Sequence, residues 1–303
     1  MASTMTQGST KTQSEKSGND IIIEAWNTVL FEKFTRFRHL FVNGYSRYSD
    51  KLLEMLPYQP GCTVLDVGCG WGDTTIKIAA ALGPKGRAYG VDCAENYIAI
   101  CNSDAAKAGV NNAEFFVADV ESQDLRGPYD AAFARCGTMF FTFPGAAMKN
   151  IRKSLKPGGR FTQIVWRKRE DNAWLHDAEL ITKEIVPVIS HDETDAVHCG
   201  PGPFSMAGPD MVSDMLQMTG YERVGFERFD TEMCIGRDVD EAVEFALNIG
   251  PAGEIIRLAE EEGERLTPQV RKSMHEHFAK LAHEDGSVWA GSSAWFITAY
   301  NPE

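Results

Sequence analysis

Residues 64–75, VLDVGCGWGDTT, run from the end of a short apolar strand through Gly68, Gly70 and Gly72 into a helix begun by Asp73, Thr74 and Thr75. A strand that ends in a glycine turn and feeds a helix puts bare backbone N–H groups and a helix N-terminus at the carboxyl edge of a parallel sheet, where open α/β folds hold their ligands. Glycines let such a ligand lie against the main chain. The spacing departs from the GxGxxG of dinucleotide sites, and Asp73 at the helix start would repel a pyrophosphate. A ligand carrying an ammonium suits the site better, because Asp66 can accept a hydrogen bond from that cation.

The same rhythm continues outward from this stretch. Ala88–Val91 closes on Asp92 and Cys93, and Glu114–Ala118 closes on Asp119 and Val120. Asp92 is placed to accept two ribose hydroxyls, and Asp119 to accept from an adenine amino group. One acid at a strand end often merely caps it; three at successive strand ends beside a glycine turn describe a nucleoside site. Helical runs at 73–82, 95–108 and 144–155 alternate with further strands at 129–134 and 160–166. That alternation predicts a mainly parallel, doubly wound sheet with helices on both faces.

The 303 residues, 43% of them hydrophobic, suffice for a full core. With 43 acidic against 30 basic residues the net charge is −13, which opposes binding to nucleic acid or to anionic membranes. The seven cysteines form no CxxC pair and are odd in number, so neither a zinc ribbon nor a closed disulfide set fits, and reduced thiols in a cytoplasmic protein are expected. His191, His198 and Cys199 sit among glycines and prolines that offer no fixed ligand scaffold, so no metal is expected. No apolar run approaches membrane-spanning length.

Residues 1–19 are too polar to bury a face and read as a disordered tail. Residues 20–57 read as a helical cap: Ile22, Trp26, Leu30, Phe34, Phe37 and Phe41 form one stripe, and a second helix is expected from Ser49 to Leu56, after Asn43 and Gly44. The core is placed at 58–168. Residues 169–303 hold the rest of it, with a lid loop at 188–208, a strand at 221–232, helical substrate-binding insertions at 238–282 and a last strand at 293–300.

Five stretches carry a family resemblance: VLDVGCGWGDTT, GVDCAENYI, FFVADVES, YDAAFARCGTMFF and SLKPGGRF. Together they resemble the motifs of the class I S-adenosylmethionine-dependent methyltransferases. More distantly the chain is similar to the ubiquinone/menaquinone-biosynthesis-like branch that acts on small molecules. The resemblance implies a Rossmann-like sheet of seven strands ending in an antiparallel hairpin, with the helices of 238–282 inserted before the last strand. It implies S-adenosylmethionine as methyl donor and S-adenosylhomocysteine as product. Asp66, Gly68, Gly70 and Gly72, with Thr74 at the helix start, would hold the methionine end; Asp92 and Cys93 would hold the ribose, and Asp119 and Val120 the adenine. Arg135 would line the methyl-transfer channel.

The acceptor expected on that basis is a small organic molecule walled by Trp26, Tyr48, Phe140, Trp174 and Phe204, or Met206 in place of the last. His39 and His176 are the candidate proton acceptors. A non-catalytic sensor or scaffold that binds the same cofactor, and a macromolecule methyltransferase, are the alternatives. The sequence leaves the acceptor atom and the oligomeric state open.

Overall fold

A computed structural model describes residues 18–187 and 202–303. Most of the expected tail (1–17) and most of the expected lid (188–201) lie outside the described residues, and with them His191, His198 and Cys199.

The strands β1 (Thr63–Val67), β2 (Arg87–Asp92), β3 (Ala113–Val117), β4 (Tyr129–Arg135), β5 (Leu155–Trp166), β6 (Glu222–Gly236) and β7 (Val288–Tyr300) form one sheet in the order β3-β2-β1-β4-β5-β7-β6. The first five are parallel, and β7 runs antiparallel to both β5 and β6. This is the Rossmann-like sheet the motifs imply. β1 is central, and Val64, Leu65 and Val67 are fully buried. That explains why the strand is continuously apolar rather than alternating. Strand order reverses between β1 and its two neighbours β2 and β4, so a crevice opens at the carboxyl end of β1, directly above the glycine turn.

Helices α4 (Asp73–Leu82), α5 (Glu95–Lys107), α6 (Pro144–Lys153), α7 (Ala173–Ile185) and α8 (Pro209–Met218) cover the sheet. Between β6 and β7 lie α9 (Val239–Asn248), α10 (Pro251–Leu258) and α11 (Glu260–Phe278), which pack on α7 and on one another.

The cap differs from its expected form. Instead of one long helix and a short one, it holds α1 (Gly18–Asn27), α2 (Val29–Arg36) and α3 (Arg38–Met55). Breaks at Thr28 and Phe37 fold the aromatic stripe back on itself: Trp26 lies 5.2 Å from Phe34, and Phe34 stacks on Phe41 at 4.9 Å. α3 runs straight through Asn43 and Gly44, whereas the second helix expected from the sequence begins only after them. Gly44 is helical because α3 crosses β6 there, and a Cβ would stand 2.2 Å from the Met233 sulfur. Gly44→Val is therefore expected to destabilise the protein by about 1–3 kcal/mol through overpacking. Urea unfolding checks this, and a variant within 0.5 kcal/mol of the parent, about the scatter of a neutral surface change, would contradict it.

The inserted helices also take a definite part in the cap. Phe245 of α9 is fully buried between Phe37 and Phe41 of the cap and Trp174 of α7. The insertion thus buttresses the back of the aromatic wall.

Candidate active site

The floor is the glycine turn. Gly68, Gly70 and Gly72 all have positive φ, of 64°, 52° and 73°. Gly68 meets Gly137 after β4, where a Cβ would lie 3.2 Å from the Gly137 Cα, and a Cβ on Gly72 would strike Cys101 and Phe115 at 2.8 Å. Gly70 is different: a Cβ there would find no atom within 4 Å, so its bare face opens on the crevice. Asp92 pins this turn from the end of β2, accepting from the Gly70 N–H at 3.0 Å and from the Ala94 N–H at 3.0 Å. Burial pushes the Asp92 carboxyl up, against the pull of those N–H groups.

Asp66 lies under the turn. It is 2% exposed and accepts from the Thr75 hydroxyl at 2.6 Å, and burial raises its pKa to about 7 in spite of that bond. A carboxyl whose folded-state pKa lies above its unfolded value gives stability that is complete below the unfolded value near 4 and is lost as pH rises to about 7. Parental stability should therefore fall between pH 4.5 and 7.5, all else equal, and Asp66→Asn should flatten that fall and be the more stable protein at pH 8. Denaturant titrations at both pH values test this; an Asn variant that keeps the parental slope would refute it.

One cavity runs above the floor. One end is bounded by Asp92, Cys93, Asp119 and Val120, and the other by Arg135, Cys136, Phe140 and Phe141, with Gly68, Gly70 and Trp71 between. The cap roofs it with Asn19, Ile22, Ile23, Trp26, Phe34 and Tyr45. Trp26 meets Phe140 edge-to-face at 5.2 Å, which joins the roof to the loop after β4. Arg135 is held by both carboxylate oxygens of Asp73, at 2.8 and 2.9 Å, and lies over the Tyr45 ring at 5.5 Å.

Of the residues singled out from sequence, Gly68, Gly70, Asp92, Cys93, Asp119, Val120, Arg135, Trp26 and Phe140 line this cavity. Asp66, Gly72 and Thr74 support it from behind; the Thr74 hydroxyl is buried without a partner. Several acceptor-wall expectations need correction. Tyr48 is fully buried, with its hydroxyl on Ser292 at 2.5 Å. The cavity is reached instead by Tyr45, about one turn earlier on α3. Trp174 is 2% exposed against Trp166 and Phe245, Phe204 lies beneath the Arg169 guanidinium, and Met206 is buried in the core. Neither histidine lines the cavity: His39 pairs with Glu241 at 3.0 Å, and His176 lies 3.6 Å from Glu179.

Sequence reasoning missed Tyr45, Asn19 and Trp71. Tyr45 keeps accessible surface, yet its surroundings desolvate it enough to push its phenol well above the ordinary value. Tyr45 lines the cavity, and the raised pKa keeps its phenol protonated, a donor rather than a base.

Residues 58–196 match the family model described as a methyltransferase domain. Over that stretch the chain is similar to methyltransferase domains. It is 27% identical over 140 residues to the demethylmenaquinone methyltransferase of Lactococcus lactis, an alignment covering 46% of this chain and 56% of that protein. It is 29% identical over 111 residues to the nocamycin O-methyltransferase of Saccharothrix syringae, covering 36% and 40%. The chain thus spans about half the length of these curated relatives. In fold it is similar to the Haemonchus contortus phosphoethanolamine N-methyltransferase 2 solved with S-adenosyl-L-methionine, at a TM-score of 0.56, 15% identity, 93% of this chain and 60% of that one.

Proposed function

We propose that this protein is an S-adenosylmethionine-dependent methyltransferase whose acceptor is a small organic molecule, working in the cytoplasm. The observation that carries the reading is the single cavity that joins acid-ended strands, a bare glycine face and an aromatic roof. The residues fit the cofactor. Gly70 leaves room for a ligand against the main chain, and Asp92, which holds the turn through the Gly70 N–H, lines the same cavity at the end of β2 as an acceptor for a diol. The cavity's charged groups are Asp92, Asp119, Glu121 and Arg135, and Arg135 is neutralised by Asp73. A cationic donor suits that balance.

When bound, the cofactor supplies a methyl on a cationic sulfonium, which leaves with the S–C electron pair on sulfur as the bond to the nucleophile forms. The chain's part is alignment and exclusion of water. Trp26, Phe34 and Phe140 wall the acceptor's side with apolar rings, and Arg135 and Asp73 fix the floor beneath Tyr45. Among the described residues no histidine faces the cavity, so a nucleophile that enters with its lone pair already free suits it best. The six cysteines among the described residues are free thiols, in keeping with a reducing compartment, and none of the described helices is long and apolar enough to cross a membrane.

The test is incubation with methyl-labelled S-adenosylmethionine and a small-molecule extract of the source cells. Labelled product together with S-adenosylhomocysteine supports the enzyme. Binding of the cofactor without turnover against any fraction favours the non-catalytic reading.

A further inference from the structure

Asn19 is the first described side chain of the cap. Its Nδ2 donates to the Asp119 carboxylate at 2.8 Å, and the Thr142 hydroxyl approaches its Oδ1 at 3.4 Å. A carboxylate only accepts, so this contact fixes the amide with Nδ2 on Asp119 and Oδ1 turned away as an acceptor. Asp119 also accepts from the Glu121 N–H at 2.9 Å and the Ser122 hydroxyl at 2.6 Å. Three of its roughly four lone-pair sites are filled, and one on Oδ1 is left. Two acceptors, one on Asp119 and one on Asn19, therefore stand together at the nucleoside end of the cavity. A primary amine on a purine has two hydrogens to give.

Asn19 also shares a helix face with the acceptor wall. Asn19, Ile22, Ile23 and Trp26 stand at i, i+3, i+4 and i+7 on α1, and all four line the cavity. The far end of α1 is latched separately: Asn27 donates to the Cys93 carbonyl at 3.3 Å and accepts from the Glu95 N–H at 3.0 Å.

We propose that Asn19 is a specificity-determining residue that, with Asp119, recognises the adenine 6-amino group, and that this contact seats α1 so that Ile22, Ile23 and Trp26 form the acceptor wall. The inference rests on the cofactor reading above and adds a residue and a coupling to it. A 6-oxo purine presents an acceptor where the site needs a donor, so it is rejected by both groups at once. Filling the nucleoside end firms the acceptor end of the same helix, and the acceptor binds second.

Titration calorimetry with S-adenosylhomocysteine and its 6-oxo analogue S-inosylhomocysteine tests this without an acceptor. The parent should prefer the adenosyl ligand. Asn19→Ala should lose about three- to tenfold in affinity for it, the worth of one net hydrogen bond, with little change for the inosyl ligand, so that the preference narrows. Asn27→Ala loosens α1 at its other end and should weaken both ligands alike, leaving the preference intact. Amide exchange across residues 19–27 should slow on adenosyl-ligand binding in the parent and not in Asn19→Ala. Asn19→Ala with parental or tighter binding of S-adenosylhomocysteine, or with an unchanged preference, overturns the proposal while the cofactor reading stands. A folded parent that binds neither ligand overturns both.

Discussion

Replacing Asp92 with alanine is expected to weaken S-adenosylhomocysteine binding by about a hundredfold or more. Two hydroxyls of a diol donating to one carboxylate make two charge-assisted bonds, each worth about 1.5–3 kcal/mol. The substitution also frees the Gly70 N–H, which Asp92 holds at 3.0 Å, so the turn loses its tether as the ligand loses its acceptor. The sheet should survive, because β2 is paired in register with β1 and β3 through the main chain from end to end. Asp92→Asn keeps one acceptor oxygen and should fall between the parent and the alanine variant. Calorimetry beside a far-ultraviolet spectrum decides the matter; a folded Asp92→Ala within threefold of the parent would remove Asp92 from the ribose site.

The floor of the cavity was legible because its signals are local. Strand, glycine turn and helix start follow one another within residues 63–75, and the acids at 92 and 119 mark the ends of strands whose apolar runs are plain in the sequence. The aromatic wall was not, because long-range packing decides it. Asn43-Gly44 has the composition of a turn, and only the crossing of α3 over β6 at Met233 makes it helix. Trp26, Phe34, Phe37 and Phe41 share a stripe in sequence, but the breaks at Thr28 and Phe37 send Phe37 toward Phe245 and Trp26 toward Phe140. The same reason lies behind the choice of Tyr48 over Tyr45: both are plausible from composition, and the phase of α3 against the sheet selects one. β7 begins at Val288, five residues before the strand legible at Ser293, because its first half pairs with the buried Met233–Ile235 segment of β6 rather than with β5.

The second large effect should come from Asp73, the residue whose charge argues against a pyrophosphate. In the structure its carboxylate grips Arg135 with both oxygens, and the guanidinium side chain is only 9% exposed. Its bond to the Ser49 hydroxyl is long, 3.4 Å from Nη1. Asp73→Ala would leave that cation unpaired in a low-dielectric wall, a change that costs about 3–5 kcal/mol where such pairs have been broken. The apolar double replacement, Asp73→Ala with Arg135→Met, removes both charges and should recover most of the loss in urea unfolding. Ligand binding then separates stability from function. A lone guanidinium on the cavity wall repels a sulfonium but not a neutral thioether, so Asp73→Ala should weaken S-adenosylmethionine more than S-adenosylhomocysteine, and the double variant should return their ratio toward the parental value. If Asp73→Ala unfolds like the parent, the pair is not what holds Arg135 in place. If it is destabilised but the two ligands weaken equally, Arg135 stands away from the sulfonium and the methyl-transfer end of the cavity lies elsewhere along the wall.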